Sequence, residues 1–364
     1  MARYQKVTSH QKRPPPKAQA FRSKRLRHAT GSACTSREVA LLAGVSRSAV
    51  SRVFTPSASV SEATRSKVIK AAKKLGYQPN VMARSLITRS SRLIGLIMGE
   101  WENPFYTTML RGFTEKLHMR DRRLMLLACN SDQDVDEATR VLMQYRVDGI
   151  VLVSTAPSEA AAREFTRSGG RIVLVNRESN QLPATSIICD NASVGRSLAQ
   201  SLLAAGYEKF ALLRGNPTLR TSILRDDGFR KELRAAGAGT VVLERSNLIG
   251  YAAGRAFARE VMRLDSPPDA IVCSSDATAI GVIDGARLDR KIAIPEALGV
   301  VGFGDIPIAS WGSHDLTTVR LPIERMVDAS IDALFAAGDL PVTRKVTVSA
   351  DIVARGSTRL IPVG

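Results

Sequence analysis

Two groups of polar side chains in this chain have types and spacing that could do chemistry: a cationic, hydroxyl-rich run from Thr35 to Arg92, and a scatter of amides, hydroxyls and arginines further on. The first suits a polyanion. Residues 35 to 92 hold eleven Lys or Arg against Glu38 and Glu62, residues 1 to 34 hold nine more and no acid, and the remaining 272 residues balance at 32 of each sign. The net charge of +18 therefore sits in the first quarter of the chain, as a surface built for nucleic acid or an acidic membrane would require. The second group comprises Asn103 to Tyr106, Asn176-Arg177, Arg214-Gly215, Ser274-Ser275-Asp276 and Gly302 to Asp305. Each follows a short apolar run, the place where open α/β sheets bind ligands. Catalysis has no visible machinery. The chain lacks phosphate-loop, dinucleotide, nucleophile-elbow and zinc-protease motifs, and His10, His28, His118 and His314 are scattered. A surface pairing of His314 with Asp315 is expected rather than a general base. Cys34, Cys129, Cys189 and Cys273 form no metal-ligand spacing, so no metal or cofactor is expected and a reducing cytoplasm fits.

The elements that position the first group follow from capping chemistry. Thr35 with Glu38 is a capping box and starts a helix with Val39, Ala40 and Ala43 on one face, ended by Gly44. Ser46 caps a second helix carrying Val50 and Val53, and Ser61 a third with Val68, Ala72 and Leu75, ended by Gly76 and Pro79. Helix, tight Gly turn, helix, on a basic surface, is a DNA-binding arrangement. A further short helix is expected over residues 80 to 88, with Ala83 and Leu86 on one side. Residues 1 to 34, with Pro14-Pro15-Pro16, read as a basic disordered tail.

From Leu93 the pattern becomes short apolar runs separated by amphipathic stretches. Strands are expected at 93–98, 124–129, 149–153, 171–175, 186–189, 209–213, 270–273 and 298–301. Alternation with helices implies parallel sheets with right-handed crossovers. No stretch approaches the roughly 18 apolar residues of a membrane span.

The segment from Thr35 through Glu38-Val39-Ala40, Ala43-Gly44-Val45-Ser46, Val50-Ser51-Arg52-Val53, Val60-Ser61, Leu75-Gly76-Tyr77 and Pro79-Asn80 to Ala83-Arg84-Ser85-Leu86 closely resembles the headpiece of the lactose-repressor (LacI/GalR) family. Asn103-Pro104-Phe105, Val147-Asp148-Gly149-Ile150, Asp190-Asn191, Arg225 with Gly228-Phe229, Pro268-Asp269-Ala270-Ile271, Gly302-Phe303 and Leu316-Thr317-Thr318-Val319 extend the likeness to about residue 358. The resemblance implies an N-terminal all-α helix-turn-helix headpiece plus an α/β effector domain of two doubly wound parallel-sheet lobes, similar to periplasmic binding proteins. On it, the domains would be a tail (1–34), headpiece (35–78), hinge helix and linker (79–92), body (93–358) and a short C-terminal tail (359–364). Lobe 1 would take residues 93–189 plus 319–342, and lobe 2 residues 190–318 plus 343–358.

The resemblance also implies roles. Arg47 and Ser48 match base-reading positions, where an arginine fork on a guanine edge is worth ~1 to 3 kcal/mol. Arg52 matches a further base or phosphate contact. Thr35, Ser46, Ser51 and Ser61 stand as phosphate contacts or caps, and Asn80, Ala83 and Leu86 belong to a hinge whose leucine wedges into the minor groove. In the body, Phe105 and Tyr106 would lie against a small effector, Asn176 and Ser275 would bond it, Arg225 would clamp it, and Ile249 stands where an aromatic platform is frequent. Asp305 joins this set, while Asp276 reads as a helix cap. Two departures delete charge: Asn176 and Gly304 stand where the family often has carboxylates. With Arg177, Arg214, Arg220 and Arg225 nearby, the ligand expected is a sugar or, better, a sugar acid. The partners implied are an operator duplex, the effector and a second copy of the chain; the absence of terminal heptads argues for a dimer over a tetramer. A stand-alone solute receptor is the competing class, and an enzyme on the same fold a third.

Overall fold

A computed structural model describes residues 34–55, 58–78, 90–99, 104–129, 131–215, 220–338 and 343–361. The chain divides into two compact units, Met1–Asn80 and Val81–Gly364.

In the first unit the described residues form helices α1 (Ser36–Ala43), α2 (Arg47–Val53) and α3 (Glu62–Leu75). The caps are the expected ones. The Glu38 carboxylate accepts from the Thr35 amide at 2.8 Å, and Ser46 and Ser61 hydroxyls accept from the amides of Ala49 and Thr64. Gly44 and Gly76 end α1 and α3 at φ 65° and 62°, a left-handed turn that glycine adopts without strain. Val39, Ala40, Val50, Val53, Val68, Ala71 and Ala72 form the core. Their small volumes let three short helices pack closely.

The second unit holds two six-stranded sheets among its described residues, in the orders β11-β5-β4-β3-β1-β2 and β12-β10-β9-β8-β6-β7. The first comprises β1 (Leu93–Met98), β2 (Arg123–Ala128), β3 (Gly149–Val153), β4 (Arg171–Val175), β5 (Thr185–Cys189) and β11 (Arg344–Val348). The second comprises β6 (Lys209–Leu213), β7 (Thr240–Arg245), β8 (Ala270–Cys273), β9 (Gly299–Phe303), β10 (Thr317–Arg320) and β12 (Asp351–Val353). All pairings are parallel except β10 with β12. Helices α4 (Pro104–Met119), α5 (Asp132–Gln144), α6 (Glu159–Arg167) and α11 (Ile323–Phe335) serve the first sheet; α7 (Asn191–Ala204), α8 (Arg220–Ala236), α9 (Tyr251–Val261) and α10 (Asp276–Asp284) follow strands of the second or lead into it.

Both faces of each sheet are covered, which explains the unbroken apolar runs. Leu96, Val151, Val153, Val173 and Val175 pack to one side with Phe113 of α4 and Ile331 of α11, while the alternate residues Ile97, Ile150, Leu152, Ile172 and Leu174 join Leu142 and Phe165 on the other. Period-2 burial on both faces is the mark of a doubly wound sheet.

The lobe division differs from expectation at two crossings. β10 pairs with β9 and so keeps residues 317–320 in the second sheet, and β11 pairs with β5, which assigns 344–348 to the first. The chain switches sheets after Arg320 and again after Val348, because β11 completes the edge beside β5 before β12 turns back onto β10.

Two helix pairs of the second lobe meet through glycine. A Cβ at Gly195 of α7 would strike the carbonyl of Arg225 on α8, and one at Gly228 the carbonyl of Ala192; Gly254 of α9 and Gly281 of α10 stand against each other in the same way. Gly195→Ala is therefore expected to lower stability by about 1 to 3 kcal/mol, read by urea unfolding, and to weaken ligand binding by shifting Arg225. An unchanged midpoint would show that the helices separate without cost.

Candidate functional site

In the headpiece, Arg47, Ser48, Ser51 and Arg52 lie at helical offsets 0, 1, 4 and 5 and are all exposed, while Val50 and Val53 are buried on the opposite side of α2. Among the described residues neither Arg47 nor Arg52 has an acidic partner within ion-pair distance. Arg47 occupies the first position of α2, where the partial positive end of the helix disfavours a cation unless an anion arrives. Ser46 and Ser61 are caps that remain exposed, and Thr35 is exposed beside Glu38. Arg65 donates to the Val53 carbonyl at 3.3 Å, closing the end of α2. Asn80, Ala83 and Leu86 lie outside the described residues, as does Asn103.

In the body, a cleft opens at the carboxyl ends of the strands. Its wall includes six of the seven expected residues: Phe105, Tyr106, Asn176, Arg225, Ile249 and Ser275. It also includes Ser154, Thr221, Ser222, Phe303 and Leu321. Ser154 obeys the same strand-end rule as Asn176 and was readable from it. Thr221 and Ser222 have no such signal, since they stand on the first turn of α8 rather than directly after a strand.

Ser154 and Asn176 end β3 and β4 in left-handed backbone, at φ 59° and 57°. Their amides pair with the Val175 and Ile187 carbonyls, and Asn176 Nδ2 donates to Ser154 Oγ at 3.0 Å. This fixes the amide so that its carbonyl oxygen is left to accept from a ligand hydroxyl. Strained non-glycine residues persist where the surroundings over-determine them, and they cluster at binding sites. Phe105 stands edge-on to Tyr106, with centroids 5.3 Å apart.

Arg225 is the one cation in the described wall, which contains no carboxylate. Its guanidinium lies over the Phe303 ring, 3.5 Å from the centroid. Nε is buried with neither hydrogen bond nor ion pair among the described residues. Burial pushes the group down to about 10, with Asp226 and Cys189 opposing, so it remains charged at neutral pH.

The acids near the cleft are neutralised elsewhere. Asp226 pairs with Arg214, which also holds Glu244 at 2.5 Å. Glu178 is held by Lys345 at 2.8 Å and by Arg220 at 3.3 Å. Asp305, expected against the ligand, is instead clamped by Arg355 at 2.6 Å and by Arg320, and does not line the cleft. Arg214 and Arg220 are thus consumed by ion pairs, and Arg177 lines a separate surface groove with Ser158 and Gln181. Of the four arginines expected around the ligand, Arg225 alone faces it. His314 is buried and faces Asp284 at 3.6 Å rather than forming the expected surface pair with Asp315.

Asp276 also departs from expectation. The cap of α10 is Ser275, whose hydroxyl accepts from Thr278. The buried Asp276 carboxylate accepts from the Ile306 amide at 2.8 Å and the Thr318 hydroxyl, bracing α10 to the β9–β10 edge. Burial pushes it up to about 6 against those two bonds, with Asp305 raising it further and Arg355 opposing. The sign follows: between the unfolded value near 3.9 and about 6 the native state binds the extra proton, so this group costs stability above pH 6, by about 3 kcal/mol, and the cost vanishes below about pH 4. Denaturation of the wild type and Asp276→Asn at pH 7.5 and 5 is expected to move about 1 kcal/mol in favour of the wild type at the lower pH. Parallel pH curves would refute the assignment.

Comparison with known proteins agrees with this architecture. Residues 35–80 match the profile "Bacterial regulatory proteins, lacI family", and residues 91–319 match "Periplasmic binding proteins and sugar binding domain of LacI family". The chain is 30% identical over 331 residues to the ribose operon repressor of Escherichia coli (strain K12), covering 89% of this chain and 99% of the relative. It is 29% identical to the transcriptional regulator DegA of Bacillus subtilis (strain 168), over 79% of this chain and 87% of the relative. The lac repressor dimer bound to operator and the anti-inducer ONPF shares the fold, with a TM-score of 0.78 at 22% identity over 90% of this chain and 99% of that one. A cellobiose complex of the regulator CelR gives a TM-score of 0.64 at 26% identity over 89% of this chain and 99% of that one. A helix-turn-helix headpiece together with a two-lobed sugar-binding body defines a ligand-responsive DNA-binding transcriptional regulator, not an enzyme. The chain belongs to the LacI family. Among the described residues no helix is long and apolar enough to cross a membrane.

Proposed function

We propose that this regulator is a cytoplasmic repressor that binds a pseudo-palindromic operator as a dimer, with Arg47, Ser48 and Arg52 reading or gripping the duplex and Ser46, Ser51 and Ser61 meeting phosphates. Its effector is a small polyhydroxylated acid, held in the cleft by Asn176, Ser275 and Arg225 against Phe105 and Tyr106. The observation that carries the effector class is Arg225: a charged guanidinium in a wall without a described carboxylate, with a buried Nε that has no partner. An anion supplies what that nitrogen lacks, through a charge-assisted bond. The first turns of α4 and α8 and the cap of α10 add partial positive charge from Phe105, Thr221 and Ser275.

Two-fold symmetry of a dimer would be mirrored in the operator, and the effector shifts DNA affinity only through its different affinities for two arrangements of the lobes. Selection of bound duplexes from a random library at fixed salt tests the first half. Enrichment of a symmetric site supports it; enrichment of nothing favours a solute receptor. Calorimetric titration with gluconate, ribose and glucose tests the second. A neutral pentose is the second reading, favoured by relatives named as ribose operon repressors, and binding of ribose with none of gluconate would establish it.

A further inference from the structure

The point where the chain enters the body from the headpiece side is unusually well bonded. The Asp148 carboxylate, just before β3, accepts from Ser90 Oγ at 2.6 Å, Ser91 N at 2.8 Å, Ser91 Oγ at 3.1 Å and Arg92 N at 3.2 Å, and pairs with Arg122. Arg92 is held in left-handed backbone at φ 59° and forms an ion pair with Asp121. Starting a strand does not require this. β1 already has its own partners on both sides, β2 and β3. A strained residue and one carboxylate serving three consecutive linker residues instead fix the direction in which the chain leaves the body.

Arg122 connects this anchor to the cleft. Its guanidinium donates to Ser90 Oγ at 3.0 Å and lies over the Phe335 ring, 5.0 Å from the centroid. Phe335 is the last residue of α11, which begins two residues after Leu321 of the cleft wall. A 13-residue helix is a rod of roughly 20 Å. One end abuts the ligand site and the other holds the arginine that completes the anchor.

We propose that Asp148 and Arg122 form a seat that positions the linker to the headpiece, and that Phe335 couples this seat to α11. Asp148 is a positioning residue; it touches neither duplex nor effector. The test uses the full-length protein and the duplex enriched by selection. Asp148→Ala lowers affinity for that duplex at least tenfold and leaves affinity for a scrambled duplex within twofold, because phosphate contacts need the headpiece but only the specific complex needs its placement. Amide exchange at Ser91 and Arg92 accelerates while Ile150 to Val153 of β3 stay protected. Arg122→Met, which spares the carboxylate, reproduces both effects more weakly, and keeps the test available should Asp148→Ala not fold. Phe335→Leu reproduces them through Arg122, and its double variant with Arg122→Met is no worse than Arg122→Met alone. Equal losses on both duplexes, or unchanged exchange at Ser91 and Arg92, overturn the proposal. Were no duplex to enrich, the exchange measurement alone would decide the seat, separately from the regulator reading.

Discussion

Arg225→Met is expected to weaken binding of acidic sugars strongly while raising the melting temperature of the unliganded protein. Removing one partner of a buried, bonded charge pair costs about 2 to 5 kcal/mol, so the Kd for gluconate or its equivalent should rise roughly 30-fold or more. Neutral sugars, which accept a hydrogen bond from this guanidinium but bring no opposite charge to it, should lose less than the acids do. The stability gain has a separate origin: without ligand the protein carries a buried Nε without a partner, and an apolar chain of similar length over Phe303 relieves that desolvation cost. Arg225→Lys keeps the charge but not the stacked fork, and should fall between the two. Calorimetry with both ligand classes, beside a thermal melt, checks each part. Equal losses for acid and neutral ligands would remove the anion assignment, and a lowered melting temperature would mean that the stacking on Phe303 outweighs the missing partner.

Arg47→Ala has the second largest expected effect. Loss of a bidentate base contact costs ~1 to 3 kcal/mol, about 5- to 150-fold per half-site, and relaxes preference at one base pair in each half of the operator. A dimer reads the change twice. The salt dependence should stay nearly as steep, since a base contact releases few counterions, whereas Arg52→Ala should flatten it if that residue holds phosphate. Free of DNA, the Arg47→Ala headpiece should be no less stable, because it loses a cation at the positive end of α2. Binding titrations at several salt concentrations, with operator variants at each position, separate these outcomes. A uniform loss across all sequences with a flatter slope would reassign Arg47 to the backbone.

Local signals sufficed for the headpiece. Thr35 with Glu38, Ser46, Ser61, Gly44 and Gly76 are short-range capping devices, and each acts within its own turn. The apolar central strands β1, β3, β4, β5, β6, β8 and β9 were equally legible because both faces are buried. β7, β10, β11 and β12 were missed: β7, β11 and β12 lie at sheet edges, where TVVLER and RKVTV expose polar residues, and the central β10 is a four-residue TTVR run whose threonines are buried. In the cleft, residues directly after strands could be found from position alone, as Asn176 was. The fate of the charges could not. Asp305 sits at a strand end like Asn176, yet Arg320 and Arg355 claim it, and Arg355 comes from fifty residues further along the chain. Which arginine faces the ligand is decided by such distant pairings, and they leave no mark on local sequence.

The chain passes between the two sheets after Cys189, after Arg320 and after Val348. A lobe is therefore not a contiguous gene segment. Exchanging one lobe for that of a relative needs a junction at all three places, and a single splice within the body produces sheets with strands from both parents. The headpiece is joined to the body through one stretch of chain, so its DNA preference can be transplanted by one recombination event. Ligand preference can move only with the whole body or by point changes within it. In such a family, operators and effectors are free to be reassorted wholesale, while a cleft such as this one must diverge residue by residue.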